Sequence, residues 1–317
     1  MIFFTNIITR IIKSKFDLML DKDELILSST EAAALLEIHV SSIKRWSDEG
    51  RLEAVRTPGG HRRFSLQTLL MFAKQEQLRI PLLGFAPYEA KVWRGLQQLR
   101  QGMVPKELLA LMYQWLKEGK SGRLIRLILF FYRYGVSIAS LGDYLLGPLM
   151  DQVGAAWEVG EVGIGEEHRM TQVLVDALYA LRHVEQEPEE PIALVACPEG
   201  EQHELGAFLV RLILEEHRWR VLYLGADVPA EEVGWQQQQW RASLVALSFV
   251  PPLGRADVLR TIRVLDQLYN PDCPYTLILG GKGTAAVRCI HGSFKEIVIF
   301  QKLEDFELWL YQHHAQR

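Results

Sequence analysis

Residues 192–214 read IALVACPEGEQHELGAFLVRLIL, and this stretch decides the fold of the second half of the chain. Residues 192–196 form an apolar run with the length of a buried strand, and residues 207–214 have the spacing of a helix. The polar residues between them therefore lie on a loop at the carboxyl end of a strand. Ligands bind along this edge in open α/β sheets, so we expect a ligand site in the loop.

Three residues of this loop, Glu201, His203 and Gly206, have a spacing that suits a metal-containing cofactor. A neutral imidazole is a good ligand for a transition metal, and a nearby carboxylate can hold the other ring nitrogen. A glycine lets a bulky group approach the backbone. The alternative interpretation is a histidine on an ordinary α/β loop that binds no cofactor.

Three further apolar runs follow, at residues 221–229, 244–250 and 277–281, with helical stretches between them at residues 231–241 and 255–269. Apolar runs that alternate with helices are typical of a parallel sheet with right-handed crossovers. The sequence therefore predicts a doubly wound, Rossmann-like α/β domain over residues 192–317.

Together with the spacing Glu201-x-His203-x-x-Gly206, Ser248 follows one predicted strand and Gly280-Gly281 follows a later one. With these three ordered signals the segment resembles the cobalamin-binding domain. The resemblance implies that His203 is the lower axial ligand of cobalt. It also implies that Ser248 and the two glycines lie where the nucleotide tail of the cofactor enters.

The composition is ordinary for a globular protein, with 317 residues, 49% hydrophobic, 23% charged and a net charge of -4. Cys197, Cys273 and Cys289 have neither paired nor metal-ligand spacing, so we expect a reducing, cytoplasmic compartment. Residues 1–27 are interpreted as an extension, because their charges interrupt the apolar core that a signal peptide needs. No run is long and apolar enough for a membrane span, so no membrane partner is expected.

The first domain is predicted over residues 28–75 and begins with two short helices joined by a tight turn. Ser28 to Thr30 offer caps for a helix over residues 31–36, and Gly50 ends a second helix over residues 41–49. This pattern predicts a helix-turn-helix, whose second helix enters the major groove of double-stranded DNA.

Several side chains of the second helix are assigned roles. Trp46 is expected in the core, packing this helix against the first one. The candidate contacts to bases or phosphates are Ser42, Lys44 and Arg45.

Residues 56–64 read RTPGGHRRF, in which the glycine pair predicts a hairpin turn. The cations Arg56, Arg62 and Arg63 suit phosphate contacts and the minor groove, and His61 is interpreted as a structural or phosphate contact. The run closely resembles the wing of the MerR-type winged helix domain. That resemblance implies a DNA-binding domain and operator DNA as a partner.

Proline- and glycine-containing linkers are expected at residues 76–90 and 185–191. Between them, residues 91–184 carry apolar positions at helical spacing. This spacing predicts four or five helices, of which four would form a four-helix bundle. The expected helical ranges are residues 92–101, 105–117, 123–134, 138–157 and 166–183.

Within this region Trp157 is followed, across three glycines, by the pair Glu167-His168. A buried tryptophan and a solvated helix start would explain these residues without a ligand. Their spacing nevertheless resembles that of the CarH-type adenosylcobalamin photoreceptors, which have the same order of winged helix, helical bundle and cobalamin domain. The resemblance implies that Trp157, Glu167 and His168 contact or gate the adenosyl side of the cofactor.

The function implied by this resemblance is that of a light-responsive transcriptional repressor. In the dark, bound adenosylcobalamin would favour a homo-oligomer, a dimer or tetramer, that occupies operator DNA, and photolysis of the cobalt-carbon bond would release it. No nucleophile-base pair, phosphate loop or paired carboxylates suggest catalysis by the protein, so we do not expect an enzyme.

Glu158 departs from the family pattern, in which a histidine follows the tryptophan and becomes the upper cobalt ligand after illumination. His168 taking that role, a photoproduct that keeps water, and a regulator that does not sense light all remain open. Two other interpretations are a regulator that senses another corrinoid or a tetrapyrrole such as haem, and a corrinoid-carrier module of a methyltransferase. The predicted winged helix argues against the carrier.

Overall fold

The computed structural model describes residues 25–182, 191–288 and 292–314. The chain forms two compact units, of which one ends at Trp93 and the other begins at Arg94. The first 24 residues of the expected extension, residues 185–190 of the second expected linker, and Cys289 lie outside the described residues.

The first unit contains a three-stranded antiparallel sheet and short helices. The strand order is β1-β3-β2, so the hairpin formed by β2 and β3 continues the sheet that β1 begins. The elements are β1 Ile26–Ser28, α1 Ser29–Leu36, α2 Val40–Asp48, β2 Val55–Arg56, β3 Arg62–Ser65 and α3 Leu66–Gln75.

Helices α1 and α2 form the expected helix-turn-helix. The Ser28 side chain accepts a hydrogen bond from the Glu31 N–H, and the Glu31 carboxylate accepts one from the Ser28 N–H, which makes a capping box at the start of α1. Glu37 then takes a left-handed conformation with φ 54°, which ends the helix. Leu35 and Ile43 are fully buried and lie on α1 and α2.

Two features of the first unit differ from expectation. Trp46 is only partly buried, and its ring centroid lies 5.0 Å from that of Phe72 of α3. Within the expected linker at residues 76–90, Pro81–Phe85 forms a 3-10 helix whose Leu82 and Phe85 are buried. These apolar side chains pack despite the neighbouring proline and glycine.

Helices make up the first half of the second unit and lie close to the expected ranges. Helix α9 packs against α5, α6 and α8. The elements are α4 Glu89–Arg100, which spans the division between the units, α5 Lys106–Lys117, α6 Ser121–Arg133, α7 Ile138–Leu141, a π-helical segment Gly142–Leu146, α8 Gly147–Glu158 and α9 Ile164–Leu181. None of the described helices is long and apolar enough to cross a membrane.

The π-helical segment interrupts what is otherwise one helical run from Ile138 to Glu158. Pro148, near the start of α8, has no backbone N–H and its ring would clash with a carbonyl one turn earlier in an α-helix. The wider π turn, in which the Gly147 N–H donates to the Gly142 carbonyl, accommodates the proline.

The second half of the second unit is the predicted parallel α/β sheet. Its five described strands follow the order β5-β4-β6-β7-β8, and every adjacent pair is parallel. The elements are β4 Ile192–Pro198, α10 Leu205–Glu216, β5 Arg220–Val228, α11 Ala230–Trp240, β6 Leu244–Ser248, α12 Arg255–Gln267, β7 Thr276–Gly280, β8 Glu296–Phe300 and α13 Leu303–His314.

The direction of strand addition reverses between β4 and β6, because β5 lies on one side of β4 and the later strands lie on the other. A doubly wound sheet has its crevice at such a switch point, outside the carboxyl ends of the strands. Residues of β4, β6 and β7, including Leu194, Val245 and Leu277, are fully buried and form the core below this crevice.

Helix α13 begins against the π-helical segment. The Asp143 carboxylate accepts hydrogen bonds of 3.0 Å from the backbone N–H groups of Leu303 and Glu304. The Glu304 carboxylate in turn accepts from the hydroxyls of Ser140 and Tyr144, at 2.7 and 2.6 Å. Side chains of the helical half therefore satisfy the start of the last helix of the sheet half.

Asp143→Ala removes the acceptor of both α13 N–H groups and leaves them unsatisfied. We expect the free energy of unfolding to fall by about 1–2 kcal/mol, as measured by urea denaturation. Asp305→Ala is the matched control, because Asp305 is an exposed aspartate in the first turn of the same helix. Equal losses in the two variants would contradict the capping role.

Candidate cofactor and DNA sites

His203 lies on the loop between β4 and α10, as the sequence predicts, at the carboxyl edge of the sheet. Ser248 is the last residue of β6, the strand next to β4 across the switch point. Gly280 is the last residue of β7, and Gly281 follows it. The predicted cofactor residues of this half therefore lie along one edge, at the ends of three adjacent strands.

The Glu201 carboxylate organises this edge. Its side chain is 2% exposed, and Oε1 accepts hydrogen bonds from the His203 N–H at 2.9 Å and from His203 Nδ1 at 2.6 Å. Oε2 accepts from the Val250 N–H at 2.6 Å, in the loop after β6. A buried carboxylate needs such donors, and these donors tie the loops after two neighbouring strands together.

The pair with Glu201 orients the imidazole of His203. In the neutral ring, Nδ1 carries the proton that Glu201 accepts, and the other nitrogen, Nε2, keeps its lone pair. The side chain is 55% exposed, and Nε2 has no hydrogen-bond partner in the described parts of the chain. The hydrogen bond that His203 donates to Glu201 raises the pKa of His203 above its ordinary value, burial opposes this rise, and the charges of Glu201 and Glu167 add to it.

The glycines of the site are needed for contacts within the protein. A Cβ on Gly206 would lie 2.9 Å from the Ser248 Oγ, so α10 passes directly over the end of β6. Gly281 has φ 88°, and a Cβ there would overlap the backbone carbonyl of Phe249. Gly206 was expected to let a cofactor approach the backbone, whereas in the structure the space that a Cβ would fill is taken by Ser248.

The end of α8 and the start of α9 carry the other predicted cofactor residues. Trp157 is 49% exposed and Glu158 is also exposed. The Glu167 side chain is 19% exposed and its Oε1 accepts from the Thr171 hydroxyl at 2.7 Å, whereas the His168 side chain is 71% exposed. Glu167 is close enough to His203 for its charge to contribute to the raised pKa of that histidine.

Large apolar side chains are exposed at this turn between the helices. Val159 is 72% exposed and Ile164 is 63% exposed, and both lie within a few residues of Trp157. Clustered exposed apolar side chains mark ligand or partner surfaces. The interpretation of Trp157 as an ordinary buried tryptophan does not match its exposure.

Sequence reasoning missed a second carboxylate at the site. Glu204 Oε2 accepts from the Tyr223 hydroxyl at 2.8 Å, which joins the loop after β4 to the edge strand β5. Cys197, at the end of β4, is buried, and burial followed by the charges of Glu201 and Glu204 raises the pKa of its thiol to about 12. Only the pairing of β4 with β5 brings Tyr223 to Glu204, so no local pattern could have indicated it.

The predicted DNA contacts of the first unit lie on α2 and on the β2–β3 hairpin. Lys44, Arg45, Arg56 and His61 are exposed, and Ser42, Arg62 and Arg63 are partly buried. Asp48 of α2 pairs with Arg56 at 3.0 Å and with Arg62 at 2.5 Å, so two of the hairpin arginines have an acidic partner. Asp48 lies on another element, eight residues before Arg56, so the hairpin sequence itself gave no sign of the pair.

Comparison with protein families matches two parts of the chain. Residues 26–77 match the helix-turn-helix domain, and residues 191–291 match the B12 binding domain. The chain thus combines a helix-turn-helix domain with a B12 binding domain built on the five-stranded parallel sheet.

Two similar proteins are transcriptional repressors of Myxococcus xanthus. The HTH-type transcriptional repressor CarA is 33% identical over 144 residues, which cover 44% of this chain and 46% of that protein. The HTH-type transcriptional repressor CarH is 30% identical over 167 residues, which cover 52% of this chain and 54% of that protein. The chain spans about half the length of these relatives, and the resemblance to CarH-type regulators is confirmed.

A solved structure is similar in fold to about two thirds of the chain. The monomethylamine corrinoid protein of Methanosarcina barkeri superposes with a TM-score of 0.50 at 17% identity, and the match covers 65% of this chain and 98% of that chain. At this level of identity the likeness shows the fold alone.

Glu201→Gln removes the charge that holds the His203 proton, so we expect the pKa of His203 to fall, as followed by NMR titration of the imidazole C–H signals. The pair stabilises the fold fully below the ordinary pKa of 6.5, and this contribution is lost as the pH rises through the raised folded-state pKa. Glu199→Gln changes an exposed glutamate of the same loop and serves as control. An unchanged His203 titration in Glu201→Gln would show that the pair with Glu201 does not raise the pKa of His203.

Gly206→Ala places a methyl group against the Ser248 hydroxyl, and we expect it to destabilise the sheet half by about 1–2 kcal/mol. Ser248→Ala removes the hydroxyl and leaves room, so the double variant should recover most of that loss. Urea denaturation of the two single variants and the double variant measures the coupling. If the two substitutions instead change the free energy of unfolding additively, the methyl group at residue 206 does not act through Ser248.

Proposed function

We propose that this chain is a transcriptional repressor that binds adenosylcobalamin and operator DNA and releases the DNA on illumination. The observation that carries the proposal is the half-exposed His203, whose Nδ1 is bound to the buried Glu201, in a domain that matches the B12 binding family. One oriented imidazole with a buried carboxylate behind it suits a single axial ligand of a metal held in a macrocycle. When bound, adenosylcobalamin would supply a cobalt-carbon bond that visible light breaks.

The residues present fit such a cofactor on both sides. His203 would be the lower cobalt ligand and Glu201 would fix its tautomer, with Ser248, Gly280 and Gly281 near the nucleotide tail. Trp157, Val159 and Ile164 are exposed apolar side chains and would offer an apolar surface to the other side of the cofactor. Glu167 and His168 would contact the adenosyl side, and the helices over residues 94–181 would form the four-helix cap.

DNA binding would belong to the first unit, as a MerR-type winged helix with the β2–β3 hairpin as the wing. The exposed cations Lys44, Arg45 and Arg56 suit phosphate contacts. A few charges on one domain bind DNA weakly at physiological salt, whereas several linked domains gain effective concentration. A homodimer or homotetramer in the dark would therefore hold the operator, and loss of assembly would release it.

Glu158 favours a second candidate, a repressor that binds a corrinoid but responds to another signal. A carboxylate stands where the family pattern has the imidazole that becomes the upper ligand after illumination, and a carboxylate is a poorer ligand for that purpose. His168 is the nearest imidazole in sequence and its side chain is 71% exposed. A haem sensor finds less support, because the family match is to B12 binding, and a methyl carrier would not need the helix-turn-helix.

The test is an absorption spectrum of the purified protein with adenosylcobalamin, in the dark and after green light, combined with size-exclusion chromatography. We expect binding in the dark, and a spectral change with a loss of assembly mass after illumination. His203→Ala should weaken cofactor binding and assembly, whereas His313→Ala, at an exposed histidine of α13, should leave both unchanged.

Binding with no light-driven change in mass would support the second candidate. Absence of binding by the wild-type protein would contradict both corrinoid proposals, and haem would then be the cofactor to add. An unchanged spectrum and assembly in His203→Ala would remove this histidine from the site.

A further inference from the structure

Two arginines face each other across the β2–β3 hairpin. Arg56 and Arg62 are directly paired in the antiparallel register, so their side chains project from the same face. Like charges in this position destabilise a hairpin. A counter-charge is therefore needed for the two strands to pair stably.

Asp48, the last residue of α2, supplies that counter-charge. Its Oδ1 accepts from Arg56 Nη2 at 3.0 Å and from Arg62 Nη2 at 2.5 Å. The hydrogen bond from Arg62 is the largest of the causes that hold the pKa of Asp48 below its ordinary value, and it keeps the carboxylate ionised. One carboxylate thus joins the end of the helix to both strands.

The two arginines are not equivalent. The Arg62 side chain is only 16% exposed, and its Nε is buried with no hydrogen-bond partner in the part of the chain that the structure describes. The Arg56 side chain is 57% exposed. Arg62 is therefore held inward against Asp48, while Arg56 keeps donors that face solvent.

We propose that Asp48 is a positioning residue that fixes the hairpin against the carboxyl end of α2, and that Arg62 acts through Asp48 and not as a direct DNA contact. The exposed cations of α2 and of the hairpin then form one preordered surface for the phosphate backbone. This inference rests on the proposed DNA-binding function and deepens it.

If Asp48 positions the hairpin, its removal should weaken DNA binding, whereas charge repulsion alone predicts the opposite. A carboxylate beside DNA repels phosphate, so its removal alone would tighten binding. If Asp48 orders the hairpin, its removal instead lets the arginines repel each other, and the hairpin loses its fixed position. The free energy needed to order the hairpin is then subtracted from the free energy of DNA binding, and the affinity falls.

The experiment compares Asp48→Asn with Glu49→Gln, which removes the same charge one residue away. Glu49 is similarly exposed and pairs with Arg45 and Arg51, so this control leaves the hairpin contacts intact. The probe is a DNA duplex that the wild-type protein selects from a random-sequence pool. We expect Asp48→Asn to bind roughly two- to fivefold more weakly, with a shallower salt dependence, and Glu49→Gln to bind equally or more tightly.

Two further variants, Arg62→Gln and the double variant Asp48→Asn/Arg62→Gln, test whether Arg62 influences DNA binding through Asp48 or by direct contact. If Arg62 acts through Asp48, the double variant should bind no more weakly than Asp48→Asn, because without Arg62 no like-charged pair is left in the hairpin. Additive losses would mean that Arg62 contacts DNA itself and would overturn that part of the proposal.

Amide hydrogen exchange of residues 55–63 in the DNA-free protein gives a readout that does not depend on DNA. Exchange should accelerate in Asp48→Asn and stay unchanged in Glu49→Gln. Unchanged exchange in Asp48→Asn, or tighter DNA binding by it, would overturn the positioning role. A wild-type protein that selects no duplex, with accelerated exchange in Asp48→Asn alone, would refute DNA binding and leave the positioning role standing.

Discussion

The buried Glu201 carboxylate is the interaction on which the sheet half depends. Few groups are as costly to bury as an ionised carboxylate, and the cost is offset only when its lone pairs are satisfied. Here the three donors come from the His203 backbone, the His203 ring and the Val250 backbone, which lie after two different strands. The same contacts that make burial tolerable therefore fix the loop that carries the imidazole.

Asp48 in the first unit also joins different elements through its carboxylate, but it does so at the protein surface. Both carboxylates hold a cationic or polar partner from another element, but Asp48 is 54% exposed and Glu201 is 2% exposed. Water and salt screen the exposed pair, whereas the buried pair is screened much less. The contacts of Asp48 are therefore weakened by salt, whereas those of Glu201 are much less sensitive to it.

The sequence was sufficient for features that repeat locally. The alternation of apolar runs and helices predicted the parallel sheet, and the caps at Ser28 and Gly50 predicted the two short helices. The edge position of His203 followed from the same pattern. What could not be predicted depends on contacts between distant residues, such as Glu204 with Tyr223, Asp48 with Arg62, and Trp46 with Phe72. For Gly206, the motif could be recognised in the sequence, but its contact with Ser248 depends on the packing of α10 over β6 and could not be predicted.

The π-helical segment Gly142–Leu146 has a consequence for how the helical half can vary. A π turn holds one residue more than an α turn, so everything after it is rotated by about 100° relative to an uninterrupted helix. Trp157 lies on the far side of this phase shift. Loss of a single residue between Gly142 and Pro148 would turn Trp157 away from its present face and would bring the Pro148 ring against the carbonyl one turn earlier. A change in the length of this helix therefore alters which of its side chains meet the sheet half.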